Sequence, residues 1–381
     1  MFDVIEKLAP NLKFNKDNWE PVKFGDVAIQ QKETVDRDLS TLAKYIKGEH
    51  MGSEDIHIRE WGELTNEYLG PAFIRRFRTG DILYGSRRTY LRKVAVAHFD
   101  GITSNTTFVI KANEKKIDKM LLPFVMLSEK FTEHSVRNSK GSVNPYVNWK
   151  DLADFKFLLP PVSEQVFLVD LLLAKDDLIE KETYMLKKIR ELKQIVFLNR
   201  NINMEGKQRN LSEILIPLTR KKNAPFTIEK YIGLENIEPG NHNCTSFSDS
   251  SNVIAQCNYI KKGDLCYSKL RPYLDKAFIA NFDAVSTTEL LIFDSKKCSK
   301  KYILYHLHSK PFLDFVTGKV FGSKMPRVSN SIIGQYQVKV LKDERKLLDE
   351  LQVIEESENQ LKAKILNLKI LQKALINQIF G

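Results

Sequence analysis

The feature that most constrains this chain is an internal duplication. The stretch GDILYGSRRTYLRKVAVAHFD at 80–100 recurs as GDLCYSKLRPYLDKAFIANFD at 263–283 without a gap. Two more pairs of blocks keep the same order: KYIKGEHM (44–51) matches KYIGLENI (230–237), and GSVNPYV (141–147) matches GSKMPRV (322–328). Solenoid repeats are only roughly 20 to 50 residues long, so this longer period indicates two copies of one domain.

Each copy is predicted to be a strand-rich α/β or α+β unit. Short runs of β-branched and aromatic residues, such as DILYG, KVAVAHF and TTFVIK, are separated by Gly, Asn and Asp. Such runs, bounded by turn residues, are typical of strands and hairpins. We therefore expect two homologous globular domains of mixed α/β structure.

A long amphipathic helix is predicted after each copy, over 163–200 and 343–380. In the first, the apolar stripe consists of Leu168, Leu171, Leu178, Met185, Ile189, Leu192 and Val196. In the second, it consists of Leu351, Ile354, Leu361, Ile365, Leu368, Leu375 and Ile379. A helix of this length spans roughly 55 to 60 Å and needs a partner to cover its stripe. We expect the two to pair as an antiparallel coiled coil with pseudo-two-fold symmetry and one domain at each end.

These patterns divide the chain into four segments. The first globular domain is predicted over 1–157, the first helix over 158–202, the second domain over 203–341 and the second helix over 342–381.

Charge and length favour a polyanionic, elongated partner. The 59 Lys and Arg exceed the 48 Asp and Glu, which gives a net charge of +11. Duplex DNA is long and roughly two-fold symmetric, and sites one turn apart are about 34 Å from centre to centre. No apolar run is long enough to span a membrane, and Asp3 and Glu6 stand where a signal peptide would be apolar, so a cytoplasmic protein is expected.

The candidate DNA contacts lie in the repeated blocks. Arginine can bind guanine or phosphate, and tyrosine offers a flat face with a hydroxyl. The hairpin turns contribute Arg87, Arg88, Tyr90 and Lys93, and Lys269, Arg271, Tyr273 and Lys276. The glycine-containing loops contribute Lys140, Ser142, Lys324 and Arg327. A solvated hairpin with its tyrosine packed on the domain, and a purely structural loop, explain the same residues equally well.

No motif predicts catalysis, a metal site or a cofactor. The sequence contains no GxxxxGK[ST] phosphate loop and no metal-spaced set of histidines. VNPYVN at 143–148 is faintly similar to the Asn-Pro-Pro-aromatic motif of adenine methyltransferases, but it lacks the second proline. We therefore expect a protein that is not an enzyme.

The sequence resembles the DNA-specificity subunit of type I restriction-modification enzymes over nearly its whole length. The opening PNLKFNKDNWEPVKFGDVA (10–28), the phrase YIGLENIE (231–238) and above all GSVNPYVNWKDLADFKFLLPPVSEQ (141–165) carry this resemblance. The second junction, VKVLKDERK (338–346), departs from the family pattern because it lacks the proline pair.

The resemblance implies a non-catalytic subunit whose two domains each recognise one half of a bipartite asymmetric DNA site, with the helices setting the gap. It implies two methylation subunits and, for cleavage, two restriction subunits as partners, which dock on the exposed faces of the helices. Methyl transfer and its cofactor would belong to those partners. The alternative is a stand-alone DNA-binding or scaffold protein with a coiled coil and no methyltransferase partner.

Overall fold

The computed structural model describes residues 14–36, 41–64, 69–322 and 325–381. The chain divides into two compact units: unit 1 comprises Met1–Tyr184 and Ala363–Gly381, and unit 2 comprises Met185–Lys362. The unit boundaries fall within the two long helices. Among the described residues, no helix is both long and apolar enough to cross a membrane.

The described residues of unit 1 form two four-stranded sheets and one strand pair. Their strands are β1 (Glu20–Lys23), β2 (Ala28–Gln31), β3 (Lys44–Ile46), β4 (Gly62–Glu63), β5 (Phe73–Phe77), β6 (Ile82–Gly85), β7 (Val94–Val96), β8 (Gly101–Ser104), β9 (Thr107–Ala112) and β10 (Lys156–Leu159). The sheets have the orders β2-β9-β6-β7 and β4-β3-β8-β5, and β1 pairs with β10. The helices are α1 (Phe24–Val27), α2 (Leu121–Met126), α3 (Glu129–Arg137), α4 (Trp149–Ala153) and the start of α5 (Val162–Asn203).

Unit 2 repeats this plan. Its strands are β11 (Gly206–Asn210), β12 (Leu215–Pro217), β13 (Lys221–Lys222), β14 (Lys230–Ile232), β15 (Ser248–Asp249), β16 (Cys257–Ile260), β17 (Leu265–Ser268), β18 (Ala277–Ile279), β19 (Ala284–Ser286), β20 (Leu290–Ser295) and β21 (Gln337–Leu341). The sheets have the orders β12-β20-β17-β18 and β13-β16-β19-β14-β15, and β11 pairs with β21. The helices are α6 (Lys300–Leu307), α7 (Lys310–Thr317), α8 (Asn330–Gly334) and α9 (Arg345–Phe380).

An equivalent pair of aromatic side chains packs in the core of each unit. The Tyr84 ring, from the hairpin β6–β7, packs edge-on against Phe131 of α3 with 5.8 Å between ring centroids. In unit 2, Tyr267 and Phe312 of α7 pack in the same way at 5.7 Å. All four side chains are almost completely buried. The partly positive edge of one ring meets the partly negative face of the other. Each ring pair therefore stabilises its unit beyond what burial alone contributes. The predicted mixed α/β fold with a duplicated unit is confirmed.

Within each unit, segments of α5 and α9 pair in antiparallel orientation, as predicted. In unit 1, Gln372 contacts Asp176 at 3.2 Å, and Lys364 contacts Glu182 at 2.7 Å. In unit 2, Lys193 contacts Glu358 at 2.6 Å. Residue numbers rise along one helix as they fall along the other, which defines the antiparallel direction.

The predicted apolar stripe is correct for α9 but partly wrong for α5. In α9 the side chains of Leu351, Ile365 and Leu368 are buried. In α5, Met185 and Leu192 are about half exposed, at 50% and 49%, whereas the buried face includes the polar residues described next.

Ion pairing explains this difference in α5. Lys193 is only 7% exposed and Asp176 only 8%. Lys193 donates to Glu358, and Asp176 binds His57 Nε2 at 2.7 Å. Selecting positions by apolarity alone misses side chains that are buried because their charges are paired.

Candidate nucleic-acid interface

In unit 1, the hairpin turn and the glycine-containing loop form a single surface. The backbone N–H of Val147 donates to the Ser86 carbonyl at 2.9 Å, and that of Arg88 donates to the Pro145 carbonyl at 2.7 Å. We call residues 86–93 together with 140–147 the first loop pair. Two sequence blocks that lie some fifty residues apart are thus joined by an isolated antiparallel β-bridge between Arg87 and Tyr146.

Two left-handed residues shape this turn. Arg88 (φ 50°) and Arg92 (φ 51°) bracket a single 3-10 turn over Thr89–Leu91. Left-handed backbone costs a non-glycine residue roughly 1–2 kcal/mol. The surrounding hydrogen bonds must supply that energy, so the conformation is imposed by the loop pair and not by the arginines themselves.

The predicted contact residues of the first loop pair are mostly exposed. Arg87, Arg88, Lys140 and Ser142 are exposed, and Tyr90 is 54% exposed, so the alternative in which Tyr90 packs on the domain is not favoured. Lys140 Nζ lies 3.5 Å from Asp151. Such a surface ion pair contributes only about 0–1 kcal/mol and leaves the ammonium available to solvent or a ligand.

Lys93 and Lys276 have a different position from the other candidates. Lys93 Nζ donates to the Gly48 carbonyl, and Lys276 Nζ donates to the Leu234 carbonyl at 2.6 Å. Partial burial lowers the pKa of Lys276. Both lysines therefore tie the hairpin to the equivalent KYI-containing blocks of their units.

Unit 2 has an equivalent surface, the second loop pair, formed by residues 269–276, 321–322 and 325–328. Arg271 (φ 49°) and Asp275 (φ 51°) bracket the 3-10 turn Pro272–Leu274. The Arg271 N–H donates to the Pro326 carbonyl at 2.7 Å, and the Val328 N–H donates to the Lys269 carbonyl at 2.9 Å. The backbone hydrogen bonds thus match those of the first loop pair.

The side chains of the second loop pair are arranged differently. Arg271 is exposed, Tyr273 is 50% exposed, and Lys269 is half-buried. Arg327 is bound by Glu289 through two hydrogen bonds, Nη2 to Oε1 at 3.0 Å and Nε to Oε2 at 3.1 Å. The Arg327 hydrogen bonds lower the pKa of the Glu289 carboxyl. Lys324 lies outside the described residues.

Sequence reasoning missed Asn144 and Glu289 as members of these surfaces. Arg88 Nε donates to Asn144 Oδ1 at 3.0 Å. The available signal was a difference between matching blocks, because the second copy has Met325 at the position of Asn144 and the first copy has Thr106 at the position of Glu289.

A buried histidine cluster in unit 2 was also missed. The rings of His242 and His308 stack with 4.9 Å between centroids, and His308 Nδ1 lies 2.7 Å from Asp275. They line a cavity of about 230 Å³. Burial lowers the pKa of His242 to about 4. Across the part of the chain that the structure describes, no three His, Cys, Asp or Glu side chains converge as metal ligands would.

Comparison with known proteins identifies the first half of the chain. Residues 16–194 match the family described as the type I restriction modification DNA specificity domain. The resemblance to specificity subunits inferred from the sequence is therefore confirmed, and the first loop pair lies within the matched specificity domain.

Two curated proteins are similar to parts of the chain. The type I restriction enzyme EcoDI specificity subunit of Escherichia coli is 31% identical over 175 residues, which cover 44% of this chain and 37% of that protein. The MjaVIII specificity subunit of Methanocaldococcus jannaschii is 25% identical over 211 residues, covering 51% and 47%. The chain thus spans less than half the length of these relatives.

Two solved structures align over most of the chain. The HsdS subunit from Thermoanaerobacter tengcongensis has 18% identity and a TM-score of 0.41, with 96% of this chain and 97% of that chain covered. The type I restriction-modification S subunit from M. genitalium has 13% identity and a TM-score of 0.47, with 97% and 98% covered.

Proposed function

We propose that this chain is the DNA-recognition subunit of a type I restriction-modification complex. Each unit recognises one half of a bipartite asymmetric site, and the paired helices set the gap between the halves. The observation that carries the proposal is the recurrence of one exposed, arginine-bearing loop pair in two units, the first of which lies in a specificity domain.

The chemistry of the two loop pairs suits duplex DNA. Arg88 and Arg271 stand exposed on equivalent turns, beside Tyr90 and Tyr273. A guanidinium fork matches the O6 and N7 acceptors of guanine in the major groove, whereas a lysine or arginine facing a phosphate adds affinity without sequence preference. With a net charge of +11, the chain also attracts DNA over a distance.

We further propose that the chain is non-catalytic and cytoplasmic, and that it works with two methylation subunits and with restriction subunits. Exposed apolar side chains on α5 favour docking of a partner on that helix. Met185, Leu192 and Ile195 are each about half exposed. Water-exposed apolar groups on a helix gain stability when a partner covers them.

The proposed spacer role rests on the length of the helices. α5 contains 42 residues and α9 contains 36. At 1.5 Å per residue, these helices extend over about 63 Å and about 54 Å. The number of helical turns between the two loop pairs would then determine the gap.

Methylation mapping tests this proposal. The chain is co-expressed with a candidate type I methylation subunit in a host that lacks adenine methylation. The expected result is methylated adenines in a two-part motif with a fixed unspecified gap. A continuous motif, or the same motif when the chain is omitted, would contradict the proposal. A chain that binds its site tightly without any methyltransferase would instead support a stand-alone DNA-binding protein.

A further inference from the structure

In the first loop pair, a neighbouring side chain restrains the guanidinium of Arg88. Its Nε donates to Asn144 Oδ1 at 3.0 Å, and its backbone N–H donates to the Pro145 carbonyl at 2.7 Å. The left-handed φ of 50° fixes the direction in which the side chain leaves the turn. The terminal Nη1 and Nη2 groups take no part in this contact with Asn144.

This arrangement lowers the cost of reading a base. A free arginine side chain has many accessible rotamers, and part of this conformational entropy is lost when it binds. Restraining Nε before binding removes part of that loss, as preorganisation does in general. The edge formed by Nη1 and Nη2 can still donate two parallel hydrogen bonds to guanine O6 and N7.

Among the described residues of the second loop pair, no side chain restrains Arg271 in this way. Arg271 has the same backbone conformation, but Met325 occupies the position equivalent to Asn144. A thioether is a weak acceptor. The restrained arginine of the second loop pair is Arg327: Glu289 binds its Nε and Nη2, and its Nη1 donates to the Met325 carbonyl at 3.3 Å, so all three nitrogens already have acceptors.

We propose that Asn144 is a positioning residue that presents the Nη1 and Nη2 edge of Arg88 to a guanine in one half-site. This inference rests on the proposed function, and it deepens it by assigning a specificity determinant to the first loop pair. The second half-site is read without such a restraint, so the two copies differ in how sharply one base pair is selected.

The test uses the full chain in complex with its methyltransferase and measures competition between the cognate duplex and duplexes altered at single positions. Replacing Asn144 with the residue of the second copy, Asn144→Met, should lower discrimination at one base pair of one half-site by roughly fivefold. The other half-site should be unaffected. Asn144→Asp keeps an acceptor for Nε, so discrimination should be retained while affinity for all duplexes falls because of the added negative charge.

Asn148→Met is the matched control, because Asn148 is an exposed asparagine of the same segment whose amide contacts Asp151. It should leave discrimination unchanged. The reciprocal variant Met325→Asn should sharpen selection in the second half-site. Circular dichroism establishes that each variant is folded.

The outcomes separate this inference from the proposed function. If Arg88→Ala relaxes one half-site but Asn144→Met does not, the positioning role is overturned and DNA recognition by the loop pair stands. If Asn144→Asp loses as much discrimination as Asn144→Met, the acceptor role is overturned. If Arg88→Ala and Arg271→Ala both leave the two half-sites unchanged, the proposed role of the loop pairs fails.

Discussion

The two loop pairs share a backbone and differ in side chains. Both turns contain two left-handed residues and the same pair of hydrogen bonds to a proline-containing loop. The second left-handed position is Arg92 in unit 1 and Asp275 in unit 2. Arg92 forms an ion pair with Glu54 at 2.9 Å, whereas Asp275 binds the buried His308. A costly backbone conformation has thus been kept while the groups around it have changed.

In these turns, the backbone and the side chains have separate roles. The conformation places a turn at the same point of each unit, and the side chains on and behind it can vary independently. If that is correct, changes in one unit should alter that unit's stability or half-site and leave the other unit unaffected.

The largest effect is expected from the equivalent core phenylalanines. Phe131→Ala and Phe312→Ala should each destabilise their own unit by about 3–5 kcal/mol, because a fully buried ring is replaced by a cavity. Hydrogen exchange followed by proteolysis and mass spectrometry should show faster exchange in the mutated unit. Equal acceleration in both units would show that the two copies fold as one cooperative body.

The loss of a polar contact between α5 and α9 should reduce stability more in unit 2 than in unit 1. Glu358 is 2% exposed and binds Lys193 and Arg190, whereas in unit 1 the buried Asp176 receives a hydrogen bond from the neutral Gln372. Glu358→Ala should cost about 3–5 kcal/mol because it leaves the buried Lys193 unpaired. Gln372→Ala should cost about 1 kcal/mol. Chemical unfolding measures both, and equal losses would contradict this difference.

The difference in the free energy of unfolding between the wild type and Glu358→Ala should become smaller in acid. Burial raises the pKa of Glu358, but the Lys193 charge and hydrogen bond outweigh it and lower the pKa to about 2. The folded pKa is therefore below the ordinary value, so this stabilisation is present above about pH 4.5 and is lost as the pH falls towards 2. Unfolding curves of both proteins between pH 7 and pH 3 provide the test. A difference that grows in acid would mean that Glu358 is not ionised in the folded state.

The exposed arginines should act on separate half-sites. Arg88→Ala and Arg271→Ala should each cost on the order of 1–3 kcal/mol in binding and relax selection in one half-site only. Competition binding with duplexes altered in either half distinguishes the two. Equal relaxation of both halves by either variant would contradict independent recognition.

The smallest effect is expected from an exposed lysine. Lys140→Gln should weaken binding to all sequences about equally and reduce the salt slope by roughly one contact, because a phosphate contact is insensitive to sequence. Binding measured at several salt concentrations tests this expectation. An unchanged salt slope would show that Lys140 does not contact a DNA phosphate.

The sequence predicted what depends on repetition and periodicity. Matching blocks indicated the duplicated hairpins, and the apolar spacing gave the α9 stripe through Leu351, Ile365 and Leu368. In α5, Met185 and Leu192 were predicted to be buried but are about half exposed. The buried position is taken by Lys193, whose burial depends on an acceptor on the other helix. Such a partner lies far away in sequence, and periodicity contains no information about it.

The side-chain contacts of the candidate interface could not be predicted for the same reason. The bond between Arg88 and Asn144 joins residues 56 positions apart, and it exists only because backbone hydrogen bonds place the two loops together. Lys93 was expected at the surface, yet it donates to a carbonyl 45 positions away. The block alignment identified the repeated segments that contain these residues, but it could not identify their hydrogen-bond partners.

Lengthening the spacer tests the central claim most directly. Four residues are inserted after Glu182 and four after Ala363, next to the contact between Glu182 and Lys364, so that both helices grow together. Four residues add about 6 Å, close to two base pairs of DNA. Methylation mapping should then give the same two half-sites with a gap changed by about one or two base pairs. An unchanged gap, or altered half-sites, would contradict the account of two reading surfaces separated by a helical spacer.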